Sequence, residues 1–148
     1  MSLEMRLIIY KILMALIGVL LFVAGIVDIR KRQISSVQLV FLLLVCCAVL
    51  PLKEDLNTFD AVGGLTIGLC AIGVSVATRE QIGKGDGIVI AALGIALGVR
   101  RCLWMVFAAS FMMCAAAIIV LLLKRGSRQT KLPFLPAIFA GYLLCMYW

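Results

Sequence analysis

Two of the seven acidic residues, Asp28 and Asp86, stand where a carboxylate could do chemistry. Asp28 closes an apolar run in Val27-Asp28-Ile29-Arg30-Lys31-Arg32-Gln33-Ile34-Ser35, and Asp86 ends Gly83-Lys84-Gly85-Asp86 just before another apolar run. The ordinary role for Asp28 is a helix-end carboxylate paired with Arg30 or Arg32. Yet an acid at a helix C-terminus faces the unfavourable end of the macrodipole, so stability alone does not choose it. Asp86 would ordinarily be an N-cap or first-turn acid, a placement that helices favour. Its flanking Gly83 and Gly85 let a backbone approach closely and leave room for an extended substrate strand. The other acids read as solvated charge: Glu4 in the N-terminal tail, Glu54, Asp55 and Asp60 around one loop, and Glu80 beside Arg79.

A pair of carboxylates in one pocket has a distinct chemistry. Like charges a few ångströms apart cannot both ionise cheaply, so the pair shares a proton. The ionised member can act as general base on a water while the protonated member polarises a carbonyl. This route needs no other catalytic side chain. The sequence contains no histidine, which removes Ser-His and Cys-His pairs and the H-E-x-x-H zinc site. Its six cysteines include no C-x-x-C pair and lie in or beside apolar runs, so neither a metal site nor a disulfide framework is expected. No P-loop or G-x-G-x-x-G is present, and no cofactor is expected.

The elements that position these residues are membrane helices. Of 148 residues 65% are hydrophobic, mean hydropathy is +1.20, and the charges cluster between apolar runs. A soluble fold of this size could not hide so much apolar surface, so lipid must solvate part of it. The first run, Leu7 to Val27, is long enough for a hydrocarbon core of roughly 30 Å and ends in the stop-transfer cluster Arg30-Lys31-Arg32. Further spans are expected from about Ile34 to Leu52, Ala61 to Thr78, Cys102 to Leu123 and Leu132 to Trp148. The run Gly87 to Val99 has only 13 residues. As a helix it would reach roughly 20 Å, too short to cross alone. The polar turn before it is therefore expected to dip below the membrane surface, where irregular backbone is tolerated if it lines a wet cavity. Gly64 and Gly68 form a G-x-x-x-G at which another helix can approach. The expected fold is an all-α polytopic bundle of about six transmembrane helices, forming one domain over residues 1–148.

Charge orients the bundle. The loops after spans one, three and five hold nine of the 14 basic residues, which places them in the cytoplasm and the N-terminus outside. This bias also accounts for the net charge of +7 without a nucleic-acid partner. In either orientation Asp28 and Asp86 share a face, because two spans separate them.

Taken together these residues resemble the type IV prepilin peptidases. Members carry an aspartate in a D-x-R-x-x-x-I-P-like stretch, then G-x-G-D before another span, then P-x-x-P at a late helix. This chain offers Asp28, Arg30 and Ile34, then Gly83, Lys84, Gly85 and Asp86, then Pro133 to Pro136, in that order. Ser35, Ser36 and Ile88 stand where many members have proline, asparagine and lysine. The resemblance implies that Asp28 and Asp86 are the catalytic aspartates and that the substrate is a prepilin or pilin-like protein, cut at the cytoplasmic membrane face. With no soluble cysteine-rich insertion, the chain resembles the short branch that cleaves without methylating. The presenilin group shares G-x-G-D, but this chain is much shorter and its first aspartate lies at a helix end.

Two other classes fit the same residues. A small proton- or cation-coupled transporter could use both carboxylates as its binding site. A structural membrane subunit would use the glycines for packing alone.

Overall fold

The computed structural model describes residues 3–31, 35–52, 58–77, 84–122 and 134–147. They form six helices: α1 (Leu3–Lys31), α2 (Ser36–Val49, extended by a 3-10 turn Leu50–Leu52), α3 (Thr58–Ala77), α4 (Lys84–Leu97), α5 (Val99–Leu122) and α6 (Leu135–Tyr147). No strand occurs among the described residues. Three stretches, Leu3–Arg30, Phe59–Ala77 and Val99–Leu122, are long and apolar enough to cross a membrane, and Ser36–Leu52, Gly85–Leu97 and Leu135–Met146 are shorter apolar helices. The chain is an all-α membrane helix bundle.

The short helix is the centre of the bundle. Val89, Ile90, Ala91, Ala92, Leu93, Ala96 and Leu97 of α4 are all buried. Around it lie α2, α3 and α5, while α1 packs on α2 and α6. By contrast α5 turns Trp104, Phe107 and Phe111 outward, and α1 turns out Ile8, Ile12, Val19 and Phe22, the surface that lipid solvates.

Two seams set the register. Lipid tails are as apolar as leucine, so helices in a membrane associate through close backbone packing and hydrogen bonds rather than hydrophobic expulsion. In the first seam Gly64 faces Gly94, Gly68 faces Ala91 and Ile72 faces Gly87, an antiparallel pairing of α3 and α4. A methyl group at Gly64 would run into the Gly94 carbonyl, and one at Gly68 into the Ala91 backbone. In the second seam α6 runs antiparallel to α1. Tyr142 is buried and its hydroxyl donates to the Met14 carbonyl at 2.8 Å, Gly18 leaves space beside its ring, and Pro136 lies 3.6 Å from where a Gly25 side chain would begin.

Several boundaries differ from the sequence expectation. Lys84, Gly85 and Asp86 already belong to α4, so the described part of the expected polar turn is helical. Arg100 and Arg101 are not an interhelix loop: α5 starts at Val99, one residue after α4 stops. The joint is Gly98, whose φ of 82° only glycine adopts at low cost, and whose N–H reaches the Gly94 carbonyl at 2.9 Å. The polar stretch Lys53 to Asn57, the basic residues Arg79, Lys124, Arg125, Arg128 and Lys131, and Trp148 lie outside the described residues.

The glycine seam makes a stability prediction. Gly64→Ala should destabilise the bundle by about 1–3 kcal/mol, because a backbone carbonyl cannot move aside. Gly73, with nothing within 4 Å of its would-be side chain, is the control. Gly73→Ala should be neutral or stabilising by up to about 1 kcal/mol, through helix propensity. Thermal unfolding of the two variants in detergent micelles checks the contrast.

Candidate active site

Both singled-out aspartates are buried at the same end of the bundle. Asp28, in the last turn of α1, is 8% exposed, and Asp86, in the first turn of α4, is 9% exposed. They stand on helices that are not sequence neighbours, yet the Asp28 charge acts on Asp86. Beneath them Ala24, one turn before Asp28, and Val89, one turn after Asp86, line the same small cavity.

Each carboxylate has a helix N-terminus to itself. Asp86 lies in the first turn of α4, where the unpaired backbone N–H groups of its own helix create positive potential. Asp28 is at the wrong end of α1 for that, but it accepts a hydrogen bond from the backbone N–H of Leu135, the first residue of α6. Here the sequence explains the geometry. Phe134 acts as the N-cap, its carbonyl accepting from Ala137 and Ile138 at 3.1 Å each. Pro136 has no N–H, so in that first turn the Leu135 N–H stands next to a missing donor and Asp28 answers it. The antiparallel seam of α1 and α6 brings the two ends together. This resolves the oddity of an acid at a helix C-terminus: its electrostatic partner is the start of another helix.

The supporting motif residues are dispersed around this pair. Arg30, two residues beyond Asp28, is exposed where Asp28 is buried. Gly85 is half-buried in the first turn of α4, next to Asp86; the backbone of Lys84 opens that helix. Pro136 packs on Gly25, three residues from Asp28. Gly83 and Pro133 lie outside the described residues. Among the described residues no cluster of three or more His, Cys, Asp or Glu could hold a metal ion.

Two polar residues near the pair were not singled out from sequence. Ser75 is fully buried on α3, three residues past Ile72, which packs against Gly87 beside Asp86. Gln38, in the first turn of α2, lines the cavity beneath the aspartates. The available signal was the same for each: a polar side chain inside an apolar run, which in a membrane is costly unless it has a task.

The sequence pattern of the type IV leader peptidase family matches residues 15–120. That stretch runs from the middle of α1 to the last turn of α5 and contains both Asp28 and Asp86. No curated protein and no solved structure matches the chain.

If Asp28 anchors the start of α6, its replacements should differ. Asp28→Ala removes the acceptor and should lower stability by about 1 kcal/mol, the usual worth of a cap. Asp28→Asn keeps a carbonyl oxygen for the Leu135 N–H and should cost about half that or less. Thermal unfolding of the purified proteins, read by far-ultraviolet circular dichroism, distinguishes the two.

Proposed function

The chain belongs to the type IV leader peptidase family, and on that premise we propose that it is a membrane aspartyl endopeptidase that removes the leader of prepilin or pilin-like proteins. Asp28 and Asp86 are its catalytic pair. What carries this reading is one observation: two buried carboxylates from separate helices lie at the same end of a membrane bundle, above one small cavity.

The chemistry follows from the shared proton. The ionised aspartate takes a proton from water as the water oxygen attacks the scissile carbonyl. The protonated aspartate donates a hydrogen bond to that carbonyl and stabilises the charge developing on its oxygen. The tetrahedral intermediate then breaks at the C–N bond, with a proton delivered to the departing amine. Each carboxylate thus exchanges its role with the other over one turnover, and no cofactor is required. Burial of both carboxylates keeps bulk water from levelling the electrostatics, while a site at the bundle end keeps water within reach.

Substrate and placement follow from the same features. The substrate would present a short basic leader followed by an apolar helix, with the scissile bond at the end of that helix, level with the aspartates. The positive-inside bias of the basic residues supports a cytoplasmic active site in the cytoplasmic membrane. The absence of a cysteine-rich soluble insertion supports cleavage without methylation. Gly83, Lys84 and Gly85, with Arg30, Pro133 and Pro136, would frame the substrate strand and fix the helix ends that hold the pair.

Cleavage of a co-expressed prepilin-like protein tests the proposal. Asp28→Asn and Asp86→Asn should each lower processing by about a thousandfold or more while membrane levels stay normal, because members of a catalytic unit fail together. Retained processing in either variant would remove the two-aspartate mechanism. Proton or cation flux in proteoliposomes that disappears with either substitution, in a protein that cleaves nothing, would instead make the pair a transport site.

A further inference from the structure

The first turn of α2 carries a helix-capping sequence that is not used as one. Ser35 is the N-cap of α2 and Gln38 stands three residues later, the spacing of a capping box. In that motif the serine side chain bonds the backbone of the third residue, and the glutamine reaches back to the N-cap N–H. Neither bond is made. Ser35 makes no side-chain cap hydrogen bond, and the Gln38 side-chain carbonyl oxygen is buried with no hydrogen-bond partner among the described residues.

Gln38 is turned inward instead. It lines a cavity of about 10 Å³ whose other walls are Leu20 and Ala24 of α1, Leu39 and Leu42 of α2, and Val89 of α4. That volume is at the lower limit of what one water molecule occupies. Every other lining side chain is apolar, so the Gln38 oxygen is the acceptor that these side chains offer to whatever enters. The location is specific. Ala24 is four residues before Asp28 and Val89 three after Asp86, so the cavity lies one helical turn, roughly 5 Å, beneath both carboxylates. A buried acceptor without a donor is costly, and a glutamine at this spacing had a cap within reach. The structure keeps the costly arrangement in a cavity whose walls Ala24 and Val89 lie one turn from Asp28 and Asp86.

Resting on the peptidase reading above, we propose that Gln38 is a positioning residue for the hydrolytic water. Its side-chain carbonyl accepts a hydrogen bond from one proton of the water and directs the other proton toward the ionised aspartate. The water oxygen is left with a lone pair toward the scissile carbonyl. Gln38 neither gains nor loses a proton. The water O–H bond directed at the aspartate breaks and its proton passes to the carboxylate. The water oxygen forms the new C–O bond, and the carbonyl π pair moves to the carbonyl oxygen. The cavity, otherwise lined by leucine, valine and alanine, is the place from which water reaches the pair.

Gln38→Met tests this, because it keeps the length of the side chain, suits the apolar lining and removes only the acceptor. The full chain in lipid nanodiscs is assayed on a synthetic peptide with a basic leader and an apolar helix, beside its thermal unfolding. The expected result is a fall in kcat of roughly ten- to hundredfold, the scale of a misplaced reactant, with KM unchanged and the unfolding temperature equal or higher. Gln38→Leu, smaller and equally apolar, should show the same division. A purely structural glutamine would leave kcat untouched when replaced by methionine, and that result overturns the proposal. So does a loss confined to KM, which would make Gln38 a substrate contact. If the unaltered protein cleaves no such peptide the peptidase reading itself fails, an outcome distinct from an active enzyme indifferent to Gln38.

Discussion

A carboxylate withdrawn from water needs hydrogen-bond donors or positive potential, and in this bundle both come from helix N-termini. Asp86 draws on the first turn of its own helix, α4, and Asp28 on the Leu135 N–H that opens α6. A helix start is suited to the task because its first N–H groups have no partners within the helix. It also holds no net charge that would pair off the carboxylate, as a lysine or arginine would. The two acids are thereby held in place without being neutralised, which is the condition that two-carboxylate chemistry requires.

The rest of the bundle can be understood as what that arrangement demands. Asp28 meets Leu135 only if α1 and α6 run antiparallel in one register, and Gly18, Gly25, Pro136 and Tyr142 hold that register. Asp86 reaches the same end only if α4 is sunk in the middle of the bundle. Its small residues Gly87, Ala91 and Gly94 against Gly64 and Gly68 of α3 allow that close approach. The brevity of α4 and the tight joint at Gly98 are further parts of the same design, since a long loop there would let the helix slide along its neighbours.

Much of this was legible in the sequence, and the limits have physical reasons. Apolar runs between charged clusters gave six helices, and their alternation put Asp28 and Asp86 at one end, because hydropathy and chain connectivity are local properties. The short run after Asp86 was likewise visible. What could not be read was any contact between helices distant in the chain. Asp28 is separated from Leu135 by more than a hundred residues, and only the seam of α1 on α6 reveals why an acid sits at a helix C-terminus. Arg100 and Arg101 looked like a loop since charge usually marks one, yet a single glycine with positive φ made the turn before them. The turn expected at Gly85 and Asp86 proved helical, because two glycines weaken a helix without preventing one that tertiary packing supports. Gln38 passed unnoticed as one polar residue in the α2 run, and its meaning depends on what lies opposite.

The central claim is that Asp28 and Asp86 work as one unit, and the most direct measurement is the cleavage rate of the double variant Asp28→Asn/Asp86→Asn beside each single variant. Groups that share one proton and one water are lost together, so the double variant should cleave no more slowly than the worse single variant. If the two losses instead multiply, the aspartates contribute independently, and the shared site does not exist.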